Sequence, residues 1–232
     1  AAAVLAKGDA AWAARWAPAV THLIRDIANP SDADPLYPPM RHKDWFVGHS
    51  WAGGLFPSAS GRNQESTSEA VNAWYAIALF GDAIADQRLA LLGRTLLATE
   101  VRAAQTYWQV KEGSEIYPQP FAAHHLACIV WSTKVDYATW FGSNVEYLFG
   151  IQMMPVTPVS ELLLDEEWLR QSLPAWEAAM RGRAVPEWRG ILIMGFALLD
   201  PAAAWRAALG LTRWDNGNTR TNELWWIATR AP

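Results

Sequence analysis

Apolar residues recur three and four apart through most of this chain, and the strict alternation that marks a strand is almost absent. That period constrains the fold more than any single motif: it predicts an all-α protein of helical hairpins joined by short loops. The first long helix is expected over residues 10–27, with Trp12, Trp16, Val20, Leu23, Ile24 and Ile27 on one face and Asp9 as its N-cap. Pro18 is expected to kink or divide it, and Asn29–Pro30 to end it. Further helices are predicted at 63–80, 84–110, 121–132, 143–149, 166–181, 187–199, 201–209 and 219–230, with Gly81 as a C′ residue. No linker or shift in composition divides the chain, which reads as one α-helical domain over residues 1–232.

Two stretches break the helical pattern. Residues 31–41 are rich in Pro and Asp, and residues 43–62 carry Gly48, Gly53, Gly54 and Gly61. Long irregular segments inside a folded domain are commonly functional. The first residues, Ala1 to Lys7, contain no Met and no charged leader of the secretory kind. They read as a helix entered partway, so a fragment or a processed piece is expected.

Composition narrows the function. The chain is 51% hydrophobic and 18% charged, with a formal net charge of −4. That balance fits a folded protein and excludes an electrostatic binder of nucleic acid. No segment has the roughly 20 apolar residues of a membrane span. A single cysteine, Cys128, excludes an internal disulfide and sits in an apolar run where a buried, inert thiol is expected. The unusual count is 15 Trp. Most are expected to pack between helices, and the remainder to line a groove for flat, weakly polar ligand faces such as sugar rings.

The chemistry concentrates in Gly61–Arg–Asn–Gln–Glu65–Ser–Thr–Ser–Glu69–Ala70. On a helix, Glu65 and Glu69 share one face, about 6 Å apart along the axis. Two such carboxylates repel, so one is expected to hold a proton near neutral pH or both to be paired, with Arg62 the nearby cation. Ser66-x-x-Glu69 also fits a capping box for a helix starting near Thr67, and the pattern alone leaves cap and site both open. The preceding run, Lys43–Asp–Trp–Phe–Val–Gly–His–Ser–Trp51–Ala–Gly–Gly54, favours a site. Its Asp44, His49 and Trp51 supply an acid, an imidazole and an indole, the groups that bind sugar hydroxyls and stack on a ring.

These residues resemble glycoside hydrolase family 81, the laminarinase-like endo-β-1,3-glucanases. The resemblance rests on Arg41 with Asp44, on Gly48–His–Ser–Trp–Ala52, and on Gly61–Arg–Asn–Gln–Glu–Ser66 with Ser68–Glu–Ala70. It extends to Gly150–Ile–Gln–Met–Met–Pro–Val–Thr–Pro158, Asp215–Asn–Gly–Asn–Thr219 and Leu224–Trp–Trp–Ile227. It implies an (α/α)6 toroid, incomplete in this chain and preceded in full-length members by a β-sandwich. It implies hydrolysis of internal β-1,3-glucosidic bonds with inversion, Glu65 as general base, Glu69 in the same site and Asp44 as a further acid in the cleft. The substrate-binding residues are then Asp44, His49, Trp51, Arg62 and Asn63. The family's general acid is an Asp in an Asp–His–His–Phe–His stretch that precedes an Ala-rich helix similar to Ala1–Ala6; this sequence holds no counterpart of that stretch. The implied protein is extracellular and monomeric, with β-1,3-glucan as partner and neither cofactor nor metal.

Other patterns carry less. Gly48–His–Ser50–Trp–Ala52 misses a nucleophile elbow at Ala52, and no strand precedes it. His124 and His125 are adjacent, so on a helix they point apart and chelate poorly. Asp165–Glu–Glu167 reads as a helix start, and Asp215–Asn–Gly–Asn218 as a turn. Asn144 and Glu146 fit a cleft or a cap equally. Two other functions stay open: a glucan-binding fragment that cleaves nothing, and another (α/α)6 enzyme such as a polysaccharide lyase. A lyase needs several cations in its cleft, and only Arg41 and Arg62 stand near these acids.

Overall fold

The computed structural model describes residues 1–53 and 57–230 and bears out the all-α class. Its helices are α1 (Ala2–Gly8), α2 (Ala10–Ala28), α3 (Thr67–Ala83), α4 (Gln87–Tyr107), α5 (Val145–Gly150), α6 (Ser160–Leu163), α7 (Glu166–Ala178), α8 (Arg189–Phe196), α9 (Pro201–Leu209) and α10 (Arg220–Ala228). Three short strands, β1 (Asn63–Gln64), β2 (Ile129–Trp131) and β3 (Val135–Asp136), form an antiparallel sheet in the order β1-β2-β3. Gly54, one of the loop glycines, lies outside the described residues. The chain packs as two units, one of Ala1–Trp51 with Ala70–Arg102 and one of Ala52–Glu69 with Ala103–Pro232. Among the described residues, no helix is long and apolar enough to cross a membrane.

In the first unit, Asp9 caps α2 as expected, its carboxylate accepting from Ala11 and Trp12 N–H at 2.9 and 3.0 Å. Pro18 does not divide the helix, which runs unbroken for 19 residues. One lost hydrogen bond is tolerated within so long a ladder. The Pro-rich loop that follows is ordered by side chains instead of a backbone ladder. Asn29 is buried and donates to the Ser31 and Tyr37 carbonyls, Arg25 pairs with Asp34, and Arg41 pairs with Asp26.

Glu100 organises this unit. Its carboxylate, wholly buried, accepts from Lys43 Nζ at 3.1 Å, Ser50 N at 2.8 Å, Ser50 Oγ at 2.7 Å and Trp74 Nε1 at 2.9 Å. Helices α3 and α4 pack as an antiparallel hairpin at two glycines. A Cβ on Gly81 would lie 2.4 Å from Ala90 N, and one on Gly93 2.4 Å from Ala78 N, so only glycine allows this approach. Gly81 is therefore an interior residue of α3, not the expected C′ position, and close packing decides its identity.

The second unit departs from expectation at residues 121–132. The structure has a 3-10 turn at Phe121–His124 and then strand β2, where a continuous helix was expected. His125 takes a left-handed conformation (φ 58°) that ends the turn, and its carbonyl accepts from Trp168 Nε1 at 2.6 Å and from Val110 N. The β-branched Ile129 and Val130 then pair with β3, and Val130 and Trp131 pair with β1. Helices α7 to α10 follow the predicted ranges within a few residues. Asp165 caps α7 through Trp168 N, and Glu146 is buried where it accepts from Val185 N and Asn144 Nδ2, so both acids are structural. Asp215 to Asn218 is a turn, with Asn218 N donating to the Asp215 carbonyl. Trp168, Trp176 and Trp226 fill the core, and Trp176 and Trp226 donate their indole N–H to Ser172 Oγ and the Met194 carbonyl.

Two predictions follow from buried carboxylates. Replacing Glu100 by Gln leaves the Lys43 ammonium buried without its counter-charge. Urea unfolding should show a loss of about 3–5 kcal/mol at an unchanged m-value. Glu223 is also buried; its Oε2 accepts from Trp214 Nε1 at 2.6 Å, while its Oε1 has no partner. Burial pushes its pKa from 4.5 up to about 7. Between those values the folded state keeps a proton that the unfolded state has lost, so stability falls as pH rises through that window, by up to about 3 kcal/mol. The melting temperature should drop between pH 5 and pH 8, and Glu223→Gln should flatten that drop.

Candidate functional site

The segment singled out by sequence is built as strand, link and helix. Gly61, at φ 76°, lies so close to Ser132 that a Cβ there would be 2.7 Å from the serine Cβ. This lets Arg62 N donate to Ser132 Oγ at 3.0 Å and the Arg62 carbonyl accept from Ser132 N at 2.9 Å. Asn63 and Gln64 then pair with Trp131 and Val130. The Asn63 carbonyl accepts from both Ala52 N and Gly53 N. Glu65 and Ser66 are the link, and α3 starts at Thr67.

Glu65 is therefore not on the helix. The expectation of two carboxylates on one helical face is corrected: Glu69 lies in the first turn of α3, and Glu65 leaves the end of a strand. The reason is long-range. The pairing of β1 with β2 holds residues 63–64 extended, and Ser66 supplies the cap that starts the helix, accepting from Glu69 N at 3.4 Å. The Ser66 cap thus stands between the two candidate acids, with Glu65 just before it and Glu69 in the turn it starts.

A buried amide fixes the link. Gln152, immediately after α5, donates from Nε2 to the Glu65 carbonyl at 2.8 Å and the Cys128 carbonyl at 3.3 Å. Its Oε1 accepts from Thr67 Oγ1 at 3.2 Å and Thr67 N at 3.4 Å. The Ser66 and Ser68 hydroxyls both reach the Ile151 carbonyl, at 3.0 and 3.1 Å.

The Glu65 carboxylate is half-buried, and its Oε1 accepts from Trp140 N at 2.9 Å. Burial raises its pKa above the ordinary carboxylate value; the Trp140 N–H pulls it down, and the charge of Glu69 pushes it up. The nearby Cys128 is buried, and burial pushes its thiol pKa up, so it stays neutral. Beside Glu65 stands an aromatic ledge. Trp140 is exposed and meets Trp131 edge-on, with ring centroids 5.2 Å apart. Trp131 Nε1 donates to Asp136 at 2.8 Å, and Asp136 pairs with Lys134.

The other expected residues form a cluster of their own in the first unit. Asp44 Oδ1 accepts from Phe46 N, and Asp44 Oδ2 from Trp51 Nε1 at 3.1 Å. His49 is buried, packs edge-on against Trp51 and lies 3.0 Å from the Ser50 carbonyl through Nδ1; burial lowers its pKa. Trp51 is only 7% exposed, so its ring serves packing and its N–H serves Asp44. Sequence reasoning missed Trp131, Trp140 and the role of Gln152. Gln152 lay in a segment already noted for its resemblance, but nothing local ties Trp140 to a residue 75 positions away.

Comparison with known proteins gives one consistent result. The family model described as glycosyl hydrolase family 81 C-terminal domain matches residues 1–227. A glucan endo-1,3-beta-D-glucosidase of Glycine max is 37% identical over 99% of this chain and 35% of its own length. One from Arthroderma benhamiae is 35% identical over 99% of this chain and 26% of its own length. A solved glycoside hydrolase family 81 structure from Clostridium thermocellum superposes with a TM-score of 0.89 at 33% identity, covering 98% of this chain and 32% of that one. The chain thus spans about a third or less of the length of these relatives.

The Gln152 amide can be tested directly. Gln152→Leu strands the Thr67 N–H and the Glu65 carbonyl, and should cost about 3 kcal/mol in urea unfolding. Hydrogen exchange at the Thr67 amide should accelerate with it.

Proposed function

The chain belongs to glycosyl hydrolase family 81, and on that premise we propose that it carries the general-base side of an inverting endo-β-1,3-glucanase site. The observation that carries this reading is Glu65: a half-buried carboxylate of raised pKa, held through one oxygen by a backbone N–H and flanked by the Trp131–Trp140 ledge.

In the proposed reaction the ionised Glu65 takes a proton from a water molecule. The water oxygen attacks the anomeric carbon on the face opposite the leaving oxygen and inverts the configuration. The leaving oxygen receives a proton from a general acid, a role that the family resemblance assigns to an Asp in a stretch without a counterpart in this sequence. In inverting enzymes the two carboxyls stand about 6.5–9.5 Å apart to admit the water. Glu69, in the first turn of α3 where the helix end favours a negative charge, orients that water or holds a sugar hydroxyl. The exposed face of Trp140 suits a glucosyl ring, with Trp131 edge-on beside it, since exposed indoles stack on the apolar face of a sugar. Arg62 and Asn63 bind hydroxyls, and the family resemblance implies the same role for Asp44, whose carboxylate accepts from Trp51 Nε1. The substrate is laminarin or wall β-1,3-glucan, met outside the cell.

The test uses this chain and a longer protein that includes the segment upstream of it. Laminarin digestion followed by product sizing should give internal cleavage, and proton NMR of early products should show the inverted, α-configured reducing end. Glu65→Gln should abolish turnover and leave laminarin binding in place; retained hydrolysis would sink the assignment. Binding without any products from either protein would favour a glucan-binding role.

A further inference from the structure

The N–H that holds Glu65 belongs to a turn whose shape depends on one hydroxyl. Thr139 is 8% exposed. Its Oγ1 donates to the Gly142 carbonyl at 2.7 Å and accepts from Gly142 N at 2.9 Å and Phe141 N at 3.3 Å. Thr139 N also donates to the Gly142 carbonyl, at 2.9 Å. The far side of the turn is buttressed. Phe141 packs against Tyr147 and Trp188, with centroids 5.3 and 5.6 Å away, and a Cβ on Gly142 would meet the Tyr147 ring at 2.9 Å. The turn is thus clamped at both ends, with Trp140 between the clamps. The Trp140 indole is exposed, and the Trp140 backbone N–H is aimed at Glu65 Oε1. Among the described residues no other donor reaches this carboxylate.

We infer that Thr139 is a positioning residue for Glu65: its hydroxyl sets the 139–142 turn so that the Trp140 N–H holds one carboxylate oxygen and fixes the orientation of the other. A base that attacks through water needs this restraint, because a small misplacement of a reacting group costs large factors in rate. The restraint comes from a backbone donor, which has no rotamer freedom of its own. It also offsets the burial and the Glu69 charge that disfavour ionisation of Glu65. Cys128, the other titratable group near it, stays neutral, and beyond Cys128 Asp136 is paired with Lys134.

This inference rests on Glu65 being the base, so the test reads the carboxyl itself and not turnover. Protein labelled with carbon-13 at the glutamate carboxyls is titrated by NMR, and the Glu65 signal is assigned by its loss in Glu65→Gln. Thr139→Val, which keeps the shape and removes the hydroxyl, should raise the Glu65 pKa by about one unit, a tenfold change in its ionisation constant. Thr139→Ser should restore the original value, which a purely packing role for the threonine methyl would not. In the wild-type protein the Trp140 amide proton should shift with the Glu65 titration, and that shift should vanish in Glu65→Gln. Where the valine variant does not fold, Thr139→Ala replaces it, with the wild-type Trp140 amide as the independent measurement. An unmoved Glu65 pKa in a folded Val or Ala variant, equal shifts in Val and Ser, or a Trp140 amide blind to the titration would each overturn the inference. Absence of glucan hydrolysis with the pKa shift intact would count against the proposed function alone.

Discussion

The buried amide of Gln152 is the contact on which the site depends. It is one side chain with both a donor and an acceptor end, and both are used, so that the segment after α5 is tied to two segments remote in sequence, the Glu65–Thr67 link and the Cys128 backbone. A charged residue there would need a counter-charge, and an apolar one would leave buried backbone groups unpaired. An amide meets both conditions. It lets the chain turn from strand to helix within two residues and fixes where the Glu65 backbone lies, while the Thr139–Gly142 turn addresses the Glu65 side chain.

The first unit solves a similar problem with charge. Its loops cannot form a continuous backbone ladder, because Pro and Gly interrupt them. Buried or half-buried polar side chains take that part instead. Asn29 closes the Pro-rich loop, and Glu100 gathers Lys43, the Ser50 backbone and hydroxyl, and Trp74 around one carboxylate. A carboxylate with four donors is well satisfied, which is why it can be wholly buried. The same network anchors the residues just before Trp51, and Trp51 in turn holds Asp44. The positions expected to touch substrate thus divide into those that present a polar group and those that support one.

The helical content was legible in sequence wherever a face is buried along its length. The N-cap at Asp9, the end at Asn29 and the helices α7 to α10 follow from spacing and capping chemistry. The misreadings share a cause. Gly81 looks like a helix end until its neighbour across the hairpin, Ala90, is seen 2.4 Å from where a Cβ would stand. Residues 121–132 look helical until residues 129–131 meet β1 and β3, strands of two residues each whose pairing is invisible locally. Pro18 sits within a helix long enough to absorb one missing bond.

The acidic segment shows the same division. Its sequence alone determined that two glutamates and a capping serine stand together after a glycine-rich loop, and its resemblance determined the family. Those are matters of residue type and order, which a string of letters records fully. Only the tertiary structure decided that Glu65 leaves a strand while Glu69 enters a helix, that Trp140 and not Trp51 offers an exposed ring, and that burial raises the Glu65 pKa. The strand pairing before Glu65 and the contacts of Glu65 itself depend on partners 60 to 90 positions away. Which backbone groups are left to pair, and which carboxylate loses its water, is settled by what packs against them.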